Sequence, residues 1–335
     1  MMFGVYGANN TSAYLFYNLC AFALQMPFGA LADFICLRFF GSDAQRKKRF
    51  YQLITVIGIL MTVSGMFAGY IVLGIGNALF HVGGGLRTIL DDRDKQKKGS
   101  ELGIFVSPGA LGLFAGKLLS SFTGFSVYIR GFWIIIAFLG VAVGIIILFR
   151  EEKYQALFSD APLKEETEKT GIGAVLLTLF CCFTVVIIRS FVAFGVEMPW
   201  KNGVIAGLFA TLAVALGKAA GGLISAKIGQ LKCVLITLLL ATGCFAFSSS
   251  KIPGMLALFF FNMTMPVTLY LLIKRMPELP GFSFGLLTFG LFIGFLPIYG
   301  QISLPFGDGM TGVIASMVSL FLLLAAILPG IKRTK

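Results

Sequence analysis

Eleven unbroken apolar stretches of about twenty residues each fill almost the whole chain, and the positive charge collects in every second gap between them. A hydrocarbon core about 30 Å thick takes about twenty residues of helix to cross, at 1.5 Å per residue. The predicted spans are 12–34, 51–68, 70–89, 101–121, 131–149, 172–196, 203–225, 231–249, 252–273, 281–300 and 310–330. Hydrophobic residues make up 57% of the chain and charged residues 13%, and the mean hydropathy is +0.91. Such a chain has too little polar surface to enclose its apolar residues in water, so its solvent is lipid. Runs that are continuous rather than alternating select helices over a closed barrel. The expected class is an all-α polytopic membrane protein.

Orientation follows from the gaps. Arg38, Arg46, Lys47, Lys48 and Arg49 follow the first span, and Arg87, Arg93, Lys95, Lys97 and Lys98 surround the end of the third. Arg150, Lys153, Lys164 and Lys169 follow the fifth. Lys218, Lys227 and Lys232 surround the end of the seventh, Lys274 and Arg275 end the ninth, and Lys332, Arg333 and Lys335 form the tail. This places 22 of the 27 Lys and Arg on one side, against Arg130, Lys201 and Lys251 on the other. The basic side is expected to be cytoplasmic, with the carboxyl terminus inside, the amino terminus outside and the chain multi-pass in the plasma membrane. Topology accounts for the net charge of +12, so nucleic acid is not an expected partner. The lipid bilayer is, since basic loops meet anionic headgroups.

The first ten residues, MMFGVYGANN, have no basic region leading into an apolar core, so no cleavable signal is expected. Cys20, Cys36, Cys181, Cys182, Cys233 and Cys244 show no CxxC spacing and read as small apolar packing residues, with no metal or other cofactor implied. No HExxH, no paired midplane aspartates and no Ser/His arrangement is present, which argues against a membrane-embedded enzyme.

The one long polar segment, from Arg150 to Thr170, divides five spans from six. The expected organisation is an amino-terminal bundle over 1–149, a cytoplasmic linker over 150–171 and a carboxyl-terminal bundle over 172–335. An internal repeat supports this. The first span ends Gly29-Ala-Leu-Ala-Asp33 and the seventh ends Gly222-Leu-Ile-Ser-Ala226-Lys227-Ile-Gly229, each followed by basic residues. Aligning Asp33 with Ala226 gives an offset of 193 residues, which falls at equivalent places if each half has six spans and the first half lacks its first.

These residues carry a resemblance to the major facilitator superfamily, whose signature between its second and third helices runs approximately G-x-L-a-D-R-x-G-R-R. Gly29, Leu31, Asp33 and Arg38 fit it, whereas Phe34, Cys36 and Leu37 do not. The second copy keeps Gly222, Lys227 and Gly229 and has Ala226 in place of the acid. The run GIGNALFHVGGG over 74–85 resembles the fourth helix of the fosmidomycin-resistance-like branch, with Val82 where that branch has proline. SPGALGLFAGKLL over 107–119 resembles the fifth helix, with Gly109, Gly112 and Gly116 matching and Lys117 standing for a proline. IIRSFVAFGVEMPW over 187–200 is similar to the seventh, and 261–292 looks like the tenth and eleventh.

The resemblance implies two helical bundles of the major facilitator type, eleven helices split five and six, working by alternating access. Asp33, with Arg38 and Lys227, would bias closure on the cytoplasmic side. The alternative for Asp33 is a solvated carboxylate that balances the basic residues nearby. His81, the only histidine, lies about eleven residues into its span, roughly 16 Å deep. Tyr70, Gly74, Asn77, His81 and Gly84 or Gly85 recur at helical spacing and line one face.

Intramembrane charge is positive. Lys117 and Arg189, with His81, Asn77 and the interior polar Asn262, are the candidate substrate-binding residues, favouring an anionic or zwitterionic small-molecule solute. The competing readings are a snorkelling Lys117 and a His81 hydrogen-bonded to a neighbouring helix. Proton coupling stays open, because only Asp33, Glu197 and Asp308 lie near the membrane faces, and a monomer is expected. The rival readings of the whole chain are a transport-inactive sensor or scaffold on the same fold, a truncated fragment of a transporter, and a lipid translocator.

Overall fold

The computed structural model describes residues 11–121, 135, 138–140, 171–302 and 306–331. Ten helical rods account for nearly all of them, with no strand among the described residues. They are α1 (Ser12–Phe40), α2 (Ala44–Ala68), α3 (Tyr70–Asp94), α4 (Ser100–Leu118), α5 (Ile172–Gly195), α6 (Val204–Ile228), α7 (Gln230–Ala246), α8 (Lys251–Arg275), α9 (Pro280–Tyr299) and α10 (Asp308–Ile331). They match ten of the eleven predicted spans. Almost all of the fifth span and of the linker lies outside the described residues. Eight of the rods are long and apolar enough to cross a membrane, while α7 is a residue short and α3 carries a charged end.

Local chemistry sets the helix ends. The Asp43 carboxylate caps α2 by accepting the Arg46 backbone N–H at 3.0 Å. Gly69, at φ +118°, turns the chain between α2 and α3, and Gly229, at φ +89°, does so between α6 and α7; both are conformations that cost a side-chain-bearing residue. Pro266 has no N–H to offer the Asn262 carbonyl, and α8 breaks there, at Met263, into Lys251–Asn262 and Thr264–Arg275. Pro108 marks a similar break in α4. Two short π segments, Leu19–Ala23 and Cys36–Phe40, interrupt α1.

Small residues let the rods approach closely, as expected where lipid leaves little hydrophobic drive between helices. A Cβ on Gly83 of α3 would sit 2.6 Å from the Thr55 nitrogen and the Tyr51 carbonyl oxygen of α2, and Gly58, Gly65 and Gly76 continue this contact. On the other side of α2, Leu53, Ile57, Leu60 and Phe67 are exposed at helical spacing and present its lipid face.

The rods form two bundles. In the first, α2 and α3 make a hairpin and α1 lies along α3. In the second, α5 packs against α8, α9 and α10, while α7 joins α8 and α10 and α6 joins α8. Two seams connect the bundles, α1 with α9 and α4 with α6. The 193-residue repeat superposes α1 on α6. Each of these two helices takes part in a different seam, α1 with α9 and α6 with α4. One end of the assembly carries the basic loops and is called the basic end below.

Candidate functional site

At the basic end of the first seam the two backbones touch. A Cβ on Gly29 would overlap the Gly281 carbonyl, one on Gly285 would overlap Gln25 and Met26, and one on Gly281 would meet an Asp33 carboxylate oxygen at 2.9 Å. Glycine is required here by close approach rather than by φ. The contact brings Asp33 of α1, 1% exposed, against the first turn of α9. There its two carboxylate oxygens accept the backbone N–H groups of Gly281 at 2.9 Å and Phe282 at 2.8 Å. A helix start with Pro280 at its first position offers unbonded N–H groups and a positive dipole end, and a buried carboxylate satisfies both. A guanidinium nitrogen of Arg93, from the end of α3, donates to the Pro277 carbonyl at 3.0 Å in the same loop. The α8–α9 loop is thus held from the first bundle by one anion and one cation.

The second seam has the glycines without the crossing acid. Gly103 and Gly222 face each other closely enough that a Cβ on either would lie 2.9 Å from the other's Cα. Ser107 donates to the Ala215 carbonyl across the seam at 2.8 Å. The N-terminal turn of α4 is capped from its own bundle, by Asp92, which accepts the Gly99 N–H at 2.7 Å and the Glu101 N–H at 3.0 Å. Asp92 lies beyond predicted span 70–89. Burial pushes its carboxyl above the ordinary range, and the two N–H bonds pull the other way. This explains why Ala226 is tolerated where the first copy has Asp33: the helix start that the second acid would cap already has a carboxylate.

Lys48 bridges Asp91 at 3.1 Å and Asp94 at 2.8 Å, and Arg87 bridges Asp91 at 3.0 Å, tying the basic ends of α2 and α3. Arg38 and Lys227, the other two predicted gating residues, are exposed on the last turns of α1 and α6.

Further into the bundle, Asn77 and His81 stand one turn apart on α3, both half-buried. The Phe105 ring of α4 meets the His81 ring edge-on at 6.4 Å and lies at the same centroid distance from Phe284 of α9, so the two bundles meet around the histidine through aromatic side chains. Arg189 of α5 is buried, 4% exposed, and its Nη1 has no hydrogen-bond partner among the described residues. Asn262 is buried at the break in α8 and its amide donates to the Leu258 carbonyl of its own helix at 2.8 Å. The structure therefore brings His81, Asn77 and Arg189 to the interior and turns the Asn262 amide toward its own backbone. It does not bring Lys117 there. That side chain is exposed at the far end of α4, within electrostatic reach of Lys201.

Lys218 takes the place left by Lys117. Loop counting assigns it to the basic end of the seventh span, yet it lies ten residues before the end of α6 at Ile228, roughly 15 Å along the helix. It is within electrostatic reach of both His81 and Arg189. Its depth within span 203–225 was the available signal; summing charges by gap concealed it. Arg93 was likewise read as loop charge and Asp92 was not singled out; the partners of both are backbone groups that no sequence pattern marks.

No family model matches the chain, and no curated protein matches it in sequence. In fold it is similar to solved major facilitator superfamily transporters. The E. coli fucose:proton symporter shares 13% identity at a TM-score of 0.62, over 98% of this chain and 92% of that one. A structure of the same symporter in the outward conformation gives 14% and 0.60, over 96% and 90%. A bacterial homologue of the iron transporter ferroportin in an outward-facing state gives 15% and 0.53, over 99% and 93%. The human organic anion transporter MFSD10 gives 15% and 0.54, over 94% and 82%. The chain has the two-bundle helical fold of these membrane transporters.

Proposed function

We propose that the chain is a secondary active transporter that moves a small organic solute, anionic or zwitterionic, across the plasma membrane by alternating access. The bundles 1–149 and 172–335 are the two moving units and 150–171 links them. The basic end faces the cytoplasm, and Asp33 with Arg93 holds it closed.

The observation that carries this reading is the construction of the seams. Helices from opposite bundles meet on glycine faces, and in one of the two seams a carboxylate at the basic end accepts backbone N–H groups while Thr288 donates to the Phe22 carbonyl farther along at 3.3 Å. A bistable contact of this kind suits two rigid bodies that rock about an interior site. The interior site has positive charge supplied by Arg189 and Lys218, which favours solutes bearing negative charge.

The test is reconstitution of the full chain in liposomes with labelled organic solutes on one side. Saturable flux that falls about ten-fold or more in Gly285→Val, which wedges a side chain into the α1–α9 seam, supports transport. Binding without flux would identify the sensor reading instead, and flux that follows labelled lipid rather than soluble label would identify a lipid translocator.

A further inference from the structure

Arg189 and Lys218 are interior cations that no carboxylate among the described residues pairs with. Of the 15 acidic residues, six lie between Glu151 and Glu168 in the predicted linker. Asp43, Asp91, Asp92, Asp94, Glu101 and Glu278 stand at the basic end, and Glu197 and Asp308 at the opposite end. That leaves Asp33, which both Gly281 and Phe282 occupy. Arg189 is buried and Lys218 partly buried; an unmatched charge held away from water costs several kcal/mol even after relaxation, so this interior pair marks a place where a counter-charge arrives from outside the chain.

We propose that Arg189, Lys218 and His81 form the binding site of a small organic dianion, a dicarboxylate or a phosphate monoester, whose two negative charges are shared between Arg189 and Lys218 with His81 beside the latter. This rests on the transport reading and narrows its solute. A monoanion leaves one cation unmatched, and a zwitterion adds a third. A dianion balances the pair. The planar guanidinium of Arg189 has a nitrogen with no partner and the geometry to grip a carboxylate or phosphate with two parallel bonds. Lys218 supplies a point charge on a long stem that adapts to the spacing of the second group.

The three residues also belong to different walls. His81 is on α3 of the first bundle, and Arg189 and Lys218 are on α5 and α6 of the second, so one ligand contacts both moving units. Arg189 lies six residues from the end of α5 at Gly195, Lys218 fourteen from the start of α6 at Val204, and His81 eleven from the start of α3 at Tyr70. These are depths of roughly 9, 21 and 16 Å from the end opposite the basic loops. Positive charge therefore continues inward from that end, past the histidine.

The experiment uses the full chain purified in detergent and in liposomes, with four probes: succinate, glycerol 3-phosphate, lactate and glucose. The expected result is that succinate or glycerol 3-phosphate raises Tm and binds about ten-fold or more tightly than lactate, while glucose does neither. Whichever of the two dianions binds better identifies the carboxylate or the phosphate form. Lys218→Gln and Arg189→Gln are each expected to bring dianion affinity down to the lactate level, while the exposed Lys274→Gln leaves it unchanged. Unliganded Lys218→Gln is expected to melt no lower than the parent, because it removes an unmatched charge, so a folding defect is separable from a binding one. Dianion affinity unchanged in both variants, or lactate or glucose binding as well as the dianions, overturns the proposal. Flux of glucose alone would overturn the dianion site and leave the transport reading standing. Dianion binding without flux would do the reverse.

Discussion

The most consequential single residue is Asp33, because its partners are backbone groups. Side chains can be exchanged by mutation, whereas the N–H groups of Gly281 and Phe282 are present whatever α9 carries. Asp33→Asn keeps one acceptor and loses the charge that the helix start favours, so about 1–2 kcal/mol of the contact is expected to go. Hydrogen exchange at the Gly281 and Phe282 amides, followed by mass spectrometry, should then speed up by roughly ten-fold. Unchanged exchange would show that the glycine contact alone holds the seam. Asp33 was legible in the sequence as a fragment of a signature, but its role was open between a latch and a solvated carboxylate. Burial settles that it is not solvated. His81, Asn77 and Arg189 were found from spacing and rarity. Lys218 was not, because a lysine near a basic loop looks like more of that loop until the helix is seen to continue beyond it.

Among the elements, the glycine faces set what each pair of helices can do. α2 and α3 are joined by a two-way glycine contact inside one bundle and tied again by Lys48 with Asp91 and Asp94, so the two helices form one hairpin. α1 and α9 are joined by an equally close contact, tied by Asp33 at the basic end and by the Thr288 hydroxyl, which donates to the Phe22 carbonyl. Gly285→Val should therefore separate α1 from α9 without unfolding either, exposing the α8–α9 loop. Limited trypsin digestion of the reconstituted protein is expected to cut after Lys274 or Arg275 several-fold faster than in the parent, with Tm lowered by a few degrees. Gly58→Val, inside the α2–α3 hairpin, should instead lower Tm with no faster cleavage at that loop. Element existence was almost fully legible, since lipid forces one period and one length on every span; seven of the ten described rods begin and end within three residues of prediction, while α1 and α3 run six and five residues further and α2 starts seven earlier. The breaks in α4 and α8 were less so. Pro266 was visible, but which of its neighbours leaves the helix depends on packing around Met263.

For the whole molecule, on the proposed transport reading, the interior cations left without a carboxylate partner among the described residues bear on how it would move. Carrying two bare positive charges from one exposed state to the other through a closed arrangement is costly, while a loaded site crosses nearly neutral. Exchange of internal for external dianion is therefore expected to run about ten-fold or more faster than net efflux into dianion-free medium. Preloaded liposomes with labelled external solute measure both, and equal rates would show that the empty site reorients freely. The internal repeat was half-legible. The offset of 193 residues was readable from the signature and its eroded copy, but only the fold shows that the copies lie in different seams.

The two carboxylates at those seams are not equivalent in what they resist. Asp92 and the N-terminal turn of α4 travel together, so their bonds survive any displacement of one bundle against the other, and parting α4 from α6 sacrifices little beyond contact area and the Ser107 bond. On the alternating-access reading proposed above, Asp33 and α9 lie on opposite bodies that part, so the energetic threshold for admitting water from the basic end concentrates on that edge of the interface and the other edge acts as its fulcrum.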